Sequence, residues 1–163
     1  MQTDMHFYAT YALALAAGIN TDTARLIATA AEYVDDSDTV DISFKDGSFF
    51  HGDATGHHPV NAENLNKYDQ RKVWIPYHFM PGNKGTTLQE KLQCQPDSDI
   101  AREMVQWALK EASGAYGPMM LGVAAHVYAD TFAHYGFSEI AADINQVDFE
   151  TIKLTVKDPE IKK

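Results

Sequence analysis

Residues 122–138 read Gly122-Val-Ala-Ala-His126-Val-Tyr-Ala-Asp130-Thr-Phe-Ala-His134-Tyr-Gly136-Phe-Ser138. No Pro or Gly interrupts the stretch between Gly122 and Gly136, so it is expected to be helical. His126, Asp130 and His134 recur every fourth residue, and on an α-helix such positions drift by only about 40° per step and share one face. Two imidazoles and a carboxylate projecting into otherwise apolar surroundings form the ligand set that zinc and related ions prefer. A single His–Asp pair at this spacing also stabilises an ordinary helix. Three in register, with no charged neighbour to solvate them, point to metal.

Helix geometry limits what this face can do alone. His126 and Asp130 are about 6 Å apart along the axis and can reach one ion, whereas His126 and His134 are about 12 Å apart and cannot share a tetrahedral site. Either Asp130 bridges two ions, or His134 serves a neighbouring or outer position. A carboxylate bridging ions about 3.5–4 Å apart is an arrangement used for phosphoester hydrolysis. The remaining ligands must come from elsewhere in the chain. The suppliers are His6, Asp35 or Asp36, and one histidine from the central loops.

Working outward, Pro118 suits the first turn of this helix, expected over Ala115–Tyr135. Asp97 and Ser98 can cap a preceding helix, with Ile100, Met104, Val105, Trp107, Ala108 and Leu109 on its apolar side and its end near Gly114. Thr86 to Cys94 is a short helix candidate. At the other end of the chain, Asp4 to Ala17 is rich in Ala and Leu and stops at Gly18, a helix with Gly in the C′ role. Asn20 and Thr21 offer a cap to a second helix, marked by Ala24, Ile27, Ala28, Ala31 and Val34 and ending near Tyr33–Asp35. The two make a helical hairpin. Asp35 and Asp36 fall where the helix dipole disfavours acids, so they ask for a positive partner, which a metal or solvent would supply. Asp4 either orients His6 or caps its helix.

Between these helical regions, Val40 to Phe44 alternates like a short strand, and Asp46-Gly47 is a turn signal that Phe49-Phe50 follow as a return strand. A loop with His51, His57 and His58 comes next. The aromatic segment Trp74-Ile75-Pro76-Tyr77-His78-Phe79-Met80-Pro81-Gly82 then follows, held by two prolines. A long irregular stretch of this kind inside a compact domain is expected to be functional. His78, on the Pro-flanked rigid part, is the preferred loop ligand, with His58 second. His51, His57 and His58 otherwise read as loop residues. A weak segment around Ile152–Val156 precedes a Lys-rich tail.

The 163 residues fit one domain, 1–163, with one core. A content of 45% hydrophobic and 22% charged residues is that of a globular chain. The net charge of -10 argues against an extended nucleic-acid surface, which needs clustered Lys and Arg, while leaving room for a small phosphoester bound by cations in a cleft. Cys94 is the single cysteine, which removes intrachain disulfides and Cys-based zinc sites and favours a reducing compartment. No Lys or Arg precedes Leu13, so no secretory signal is expected, and no apolar run approaches the ~20 residues of a membrane span. The expected location is cytoplasmic.

An early His in helix one, an Asp some thirty residues on, a loop His, then H-x-x-x-D and a later His resembles the zinc-dependent phospholipase C and single-strand-specific nuclease superfamily. More closely, His6-Phe7-Tyr8, Tyr33-Val34-Asp35-Asp36-Ser37, Trp74 to Gly82 and His126 to Ser138 resemble an uncharacterised bacterial domain-of-unknown-function family, over roughly residues 4–138. The resemblance implies a helical bundle with a zinc cluster that hydrolyses phosphodiesters. It implies His6, Asp36 (or Asp35) and His126 as ligands, Asp130 as a bridge and His134 as ligand of a separate ion. It departs from the superfamily in beginning with Met where those phospholipases use an N-terminal Trp, in having no His after His134, and in being shorter. A one- or two-ion centre is therefore expected.

The sequence thus predicts a mainly α-helical single domain with a loop-rich central insertion and a short β-hairpin. Its metal candidates are His6, Asp35, Asp36, His78, His126, Asp130 and His134, with Asp36 and Asp130 as catalytic carboxylates. Zn2+ is the expected ion, with Mn, Fe, Ni or Co as substitutes, and the expected activity is phosphoester hydrolysis of phosphodiesterase, phospholipase or nuclease type. The alternative is a non-catalytic binding protein that keeps the fold around a structural ion. Phosphohydrolases built on an adjacent His-Asp dyad fit less well, because no His here is directly followed by Asp.

Overall fold

Two N-terminal helices set the frame. In the computed structural model, which describes residues 3–38, 41–56, 70–140 and 145–146, the chain opens with α1. This helix winds as a π-type segment over Asp4–Ala9 and continues as a regular α-helix over Thr10–Ala16. Gly18 ends the hairpin's first arm with a φ of 85°, the left-handed conformation that only Gly adopts without strain. The Asn20 side chain then accepts a hydrogen bond from the Thr23 amide (2.9 Å) and starts α2, Thr21–Asp36. Helix α2 buries Ala24, Ile27, Ala28, Ala31 and Val34, the stripe its spacing predicts.

A two-stranded antiparallel hairpin follows. Strands β1 (Asp41–Ser43) and β2 (Phe49–His51) pair Ile42 with Phe50, and Gly47 (φ 85°) makes the turn. All six strand residues are exposed, so the hairpin is a surface feature. The chain returns to α2 at Thr55 and Gly56, whose amides bond the Ser37 carbonyl, while the Thr55 hydroxyl donates to the Val34 carbonyl at 2.8 Å. These bonds use carbonyls that the end of a helix leaves without partners. They also hold the Asp35 region in place.

Helix α3 has a π-type turn over Gln70–Trp74 that runs into Ile75–Tyr77. Helix α4 (Leu88–Leu92) carries a capping box made by Thr87 and Glu90. Ser98 caps α5, Asp99–Lys110, by accepting from the Ala101 amide. Asp97, the other candidate cap, instead pairs with Arg102 and accepts from the Tyr128 hydroxyl. Helix α6 spans Gly117–Ala133 with Pro118 in its first turn.

The sequence overstated the buried side of α5. That helix ends at Lys110 rather than near Gly114, and of the expected apolar positions only Ala108 is buried. Trp107 and Leu109 are 55% and 59% exposed, and the fully buried positions of α5 are Ala101 and Ala108. His57, His58 and the segment around Ile152–Val156 lie outside the described residues. Among the described residues the protein is mainly helical, and no helix is long and apolar enough to cross a membrane.

The most extensive packing joins α2 and α6. It is built from small residues, and Gly122 marks the closest approach. A Cβ placed there would lie 2.3 Å from the Ile27 carbonyl oxygen, 2.7 Å from Ala30 Cβ and 3.0 Å from the Ala31 amide nitrogen. In an ordinary helix interior Gly→Ala stabilises by about 0.5–1 kcal/mol. Here overpacking reverses the sign, and Gly122→Ala is expected to destabilise by about 1–3 kcal/mol in urea unfolding. A variant as stable as the parent, or more so, would show that the two helices pack less tightly than described.

Candidate metal centre

Five titratable side chains from four parts of the fold meet in the interior. Helix α1 supplies His6, α2 supplies Asp35, α6 supplies His126 and Asp130, and His78 follows directly after α3. His6, His126 and Asp130 are fully buried, His78 is 3% exposed, and the Asp35 side chain is 34% exposed, which makes it the solvent side of the cluster. His6 Nε2 lies 3.3 Å from Asp130 Oδ1, His78 Nδ1 is 3.1 Å from Asp130 Oδ2, and His126 Nε2 is 3.4 Å from the same oxygen. Asp35 stands slightly farther out, 3.7 Å from His6 Nε2 and 3.6 Å from His78 Nδ1.

Local structure explains why each ring faces inward. The Trp74 carbonyl accepts from the amides of His78 and Phe79, which closes the aromatic segment and turns His78 towards α6. The His134 ring stacks on Phe79 with centroids 4.3 Å apart, and its Nδ1 donates to the His78 carbonyl at 2.6 Å. His6 lies within the π-type part of α1, a local geometry often associated with functional sites.

Backbone carbonyls fix the tautomers. His126 Nδ1 is 2.8 Å from the Ala31 carbonyl and His78 Nε2 is 2.7 Å from the Thr55 carbonyl. A carbonyl only accepts, so both of those ring nitrogens carry hydrogen. In the neutral rings, His126 Nε2 and His78 Nδ1 are then lone pairs, and they face each other at 3.2 Å beside Asp130. Acceptor thus meets acceptor. Positive charge between them, from a proton on a ring or from a metal ion, is what such an arrangement calls for. An imidazole whose second nitrogen donates to a carbonyl is the usual state of a metal-ligating histidine. Both ring nitrogens of His6 are buried; Nε2 faces the Asp130 and Asp35 carboxylates, while Nδ1 has no hydrogen-bond partner, a state that costs free energy unless something else satisfies it.

The electrostatics fit this picture. Burial lowers the pKa of His126, which favours the neutral ring a cation requires, and the neighbouring charges of His6 and His78 add to the effect while Asp130 opposes it. Burial by itself would raise the pKa of Asp130, but the facing rings of His126, His6 and His78 outweigh it and hold the carboxyl ionised. Cys94, buried nearby, is pushed up to about 12 by burial and by the charge of Asp130, so it stays a thiol and supplies no thiolate ligand.

Of the residues singled out in the sequence, the fold brings together His6, Asp35, His78, His126 and Asp130. Two ligand groupings emerge among the described residues, His6–Asp35–His126 and His78–His126–Asp130. Asp36 joins neither and is exposed, and of the two adjacent acids Asp35 is the one that lies at the cluster. His134 also joins neither; its Nδ1 bonds the His78 carbonyl and so helps to position His78. His51 pairs with Asp41 on the surface hairpin at 2.6 Å, and Asp4 accepts from the Met5 amide rather than orienting His6. Sequence reasoning did not find the Ala31 and Thr55 carbonyls, because backbone groups leave no signature in residue type. Nor did it single out Glu139, whose carboxyl is raised to about 7 by burial against a smaller lowering effect of His78.

The chain belongs to a family of unknown function, DUF6765, whose model matches residues 1–162. No curated protein and no solved structure matches it.

Glu139 generates a pH test. Its carboxyl titrates near 7 in the folded chain against an ordinary value of 4.5, so the folded state keeps a proton that the unfolded state has lost. Stability from this group is therefore full below about pH 4.5 and declines as pH rises towards 7. Glu139→Gln is expected to flatten the melting-temperature profile between those values and to melt above the parent at pH 8. Parallel profiles for the two proteins would contradict the assignment.

Proposed function

We propose that the protein is a metal-dependent phosphoester hydrolase whose ions are held by His6, Asp35, His78, His126 and Asp130. The observation that carries this reading is the convergence of imidazole lone pairs and two carboxylates on one interior point, with the hydrogens of His78 and His126 turned away to backbone carbonyls. Imidazole with carboxylate suits Zn2+ first, with Mn, Fe, Ni and Co as substitutes.

A bound ion supplies two things. Held by His6, Asp35, His78, His126 and Asp130, it would supply Lewis-acid polarisation of a phosphoryl oxygen and a lowered pKa for water. The chain's own groups orient this chemistry. Asp130 lies between three histidines and anchors the site, while the partly exposed Asp35 marks the side from which water and substrate enter. His134 and Phe79 keep His78 in register. The resemblance to the zinc-dependent phospholipase C and nuclease superfamily supports phosphodiester chemistry over other hydrolyses. The net charge of -10 favours a small phosphoester over extended nucleic acid. No catalytic part falls to Asp36, which is exposed outside the cluster.

The test is elemental analysis of freshly purified protein, followed by turnover of bis(p-nitrophenyl) phosphate. Bound Zn or another of these metals is expected, with turnover that disappears on chelation and returns on adding Zn2+ or Mn2+. Asp130→Asn should lower kcat/KM by at least about 100-fold, as expected when an anchoring ligand is lost. Protein free of all five metals and inert after reconstitution would contradict the proposal.

A further inference from the structure

We infer that the cleft between α1 and α5 is a binding site for a single-chain fatty acid, with the carboxylate at Arg102. It is separate from the candidate metal centre, since none of His6, Asp35, His78, His126 and Asp130 lines it.

The cleft follows from how the helices pair. Helix α1 packs on α2 and α5 packs on α6, which leaves α1 and α5 facing each other across a space floored by α6. Each wall is one face of a helix. On α1, Thr10, Leu13, Ala14 and Ala17 stand at i, i+3, i+4 and i+7. Arg102, Val105, Gln106 and Leu109 hold the same spacing on α5. Leu13 and Leu109 are 65% and 59% exposed, because the space between them holds no packing partner. Ala125, Tyr128 and Ala129 belong to the floor.

The dimensions suit an extended small molecule. The cleft has a volume of about 800 Å³, within the ~300–1,000 Å³ of small-molecule sites. Its floor runs from Leu121 to Phe132, about 16 Å at the helical rise per residue.

Polarity is distributed along that length as in an amphiphile. At one end the Tyr128 hydroxyl donates to Asp97 at 2.8 Å and Arg102 Nε donates to the same carboxylate at 2.9 Å. Leu121 lies two turns before Tyr128, and the cleft at that end, with Ala17 and Ile19, is apolar. Arg102 is the only Lys or Arg among the described residues that line the cleft. Asp97 engages its Nε and Nη2, and Nη1 makes no hydrogen bond among the described residues. What this end still offers is therefore donors on a cation, which a carboxylate matches in charge and geometry. The Arg102 side chain is 58% exposed, so the head stays at the water while the alkyl chain enters the cleft.

The experiment is displacement of dansyl-undecanoic acid, a fluorescent fatty acid, from the full-length protein by dodecanoic acid and by methyl dodecanoate, all at submicellar concentration. Saturable binding of one probe per chain is expected, with the acid displacing it at least about 10-fold better than the ester, as loss of a charge-assisted hydrogen bond implies. Arg102→Leu should remove that advantage and leave displacement by the ester unchanged. Ala125→Trp should fill the cleft and abolish probe binding, and Ala129→Phe on the same floor replaces it should it fail to fold. No saturable binding, binding that survives the floor substitution, or equal displacement by acid and ester would overturn the inference. A dimer in light scattering that Ala125→Trp dissociates would assign the cleft to a second copy of the chain and overturn it as well.

Discussion

An interior in which acceptors face acceptors is the constraint on which the rest of the structure depends. His6 and His126 are the bulkiest fully buried side chains among the described residues, and Asp130 is buried beside them. In most domains those central places go to Leu, Ile or Phe, whose burial favours folding. A carboxylate and three rings there are favourable only when their charges and lone pairs are compensated, since an uncompensated buried charge is costly. On this account cation binding and folding share one free energy, because the donor atoms come from four separate segments and form no site in the unfolded chain.

Bringing those segments together requires close helix packing. Gly122 allows the α6 backbone to sit against Ile27 and Ala31 of α2. One turn further along α6, His126 reaches the Ala31 carbonyl with Nδ1. The same approach that a methyl group would block thus sets the tautomer of a central ring. At the end of α2, Thr55 performs two tasks at once. Its hydroxyl bonds the Val34 carbonyl, and its own carbonyl receives His78 Nε2–H. The loop after the hairpin therefore connects the aromatic segment to the helix that presents Asp35.

Much of this could be read from residue order. Caps, glycine stops and 3.6-residue spacing located the helical hairpin and α6, and the i, i+4 pattern identified His126 and Asp130. The separation of His126 from His134 by two turns placed them at different points of the helix, and His134 bonds the His78 carbonyl. The choice between Asp35 and Asp36 was present in the sequence as phase: Asp35 lies four residues after Ala31 and seven after Ala28, on the buried stripe of α2. The parts that were not legible are those made by backbone, namely the two carbonyls that orient the rings and the crossing that sets their distance. On α5, hydrophobicity misled because apolar residues occupy more than one face and only the small Ala101 and Ala108 are fully buried.

The most direct test of the central claim is diffraction from crystals grown with Zn2+, with anomalous maps calculated on either side of the zinc absorption edge. The account predicts an anomalous peak within coordination distance of His78 Nδ1, His126 Nε2 and Asp130 Oδ2, on their lone-pair side. An interior without a peak at saturating zinc, or zinc found only on surface groups such as His51 and Asp41, would contradict it.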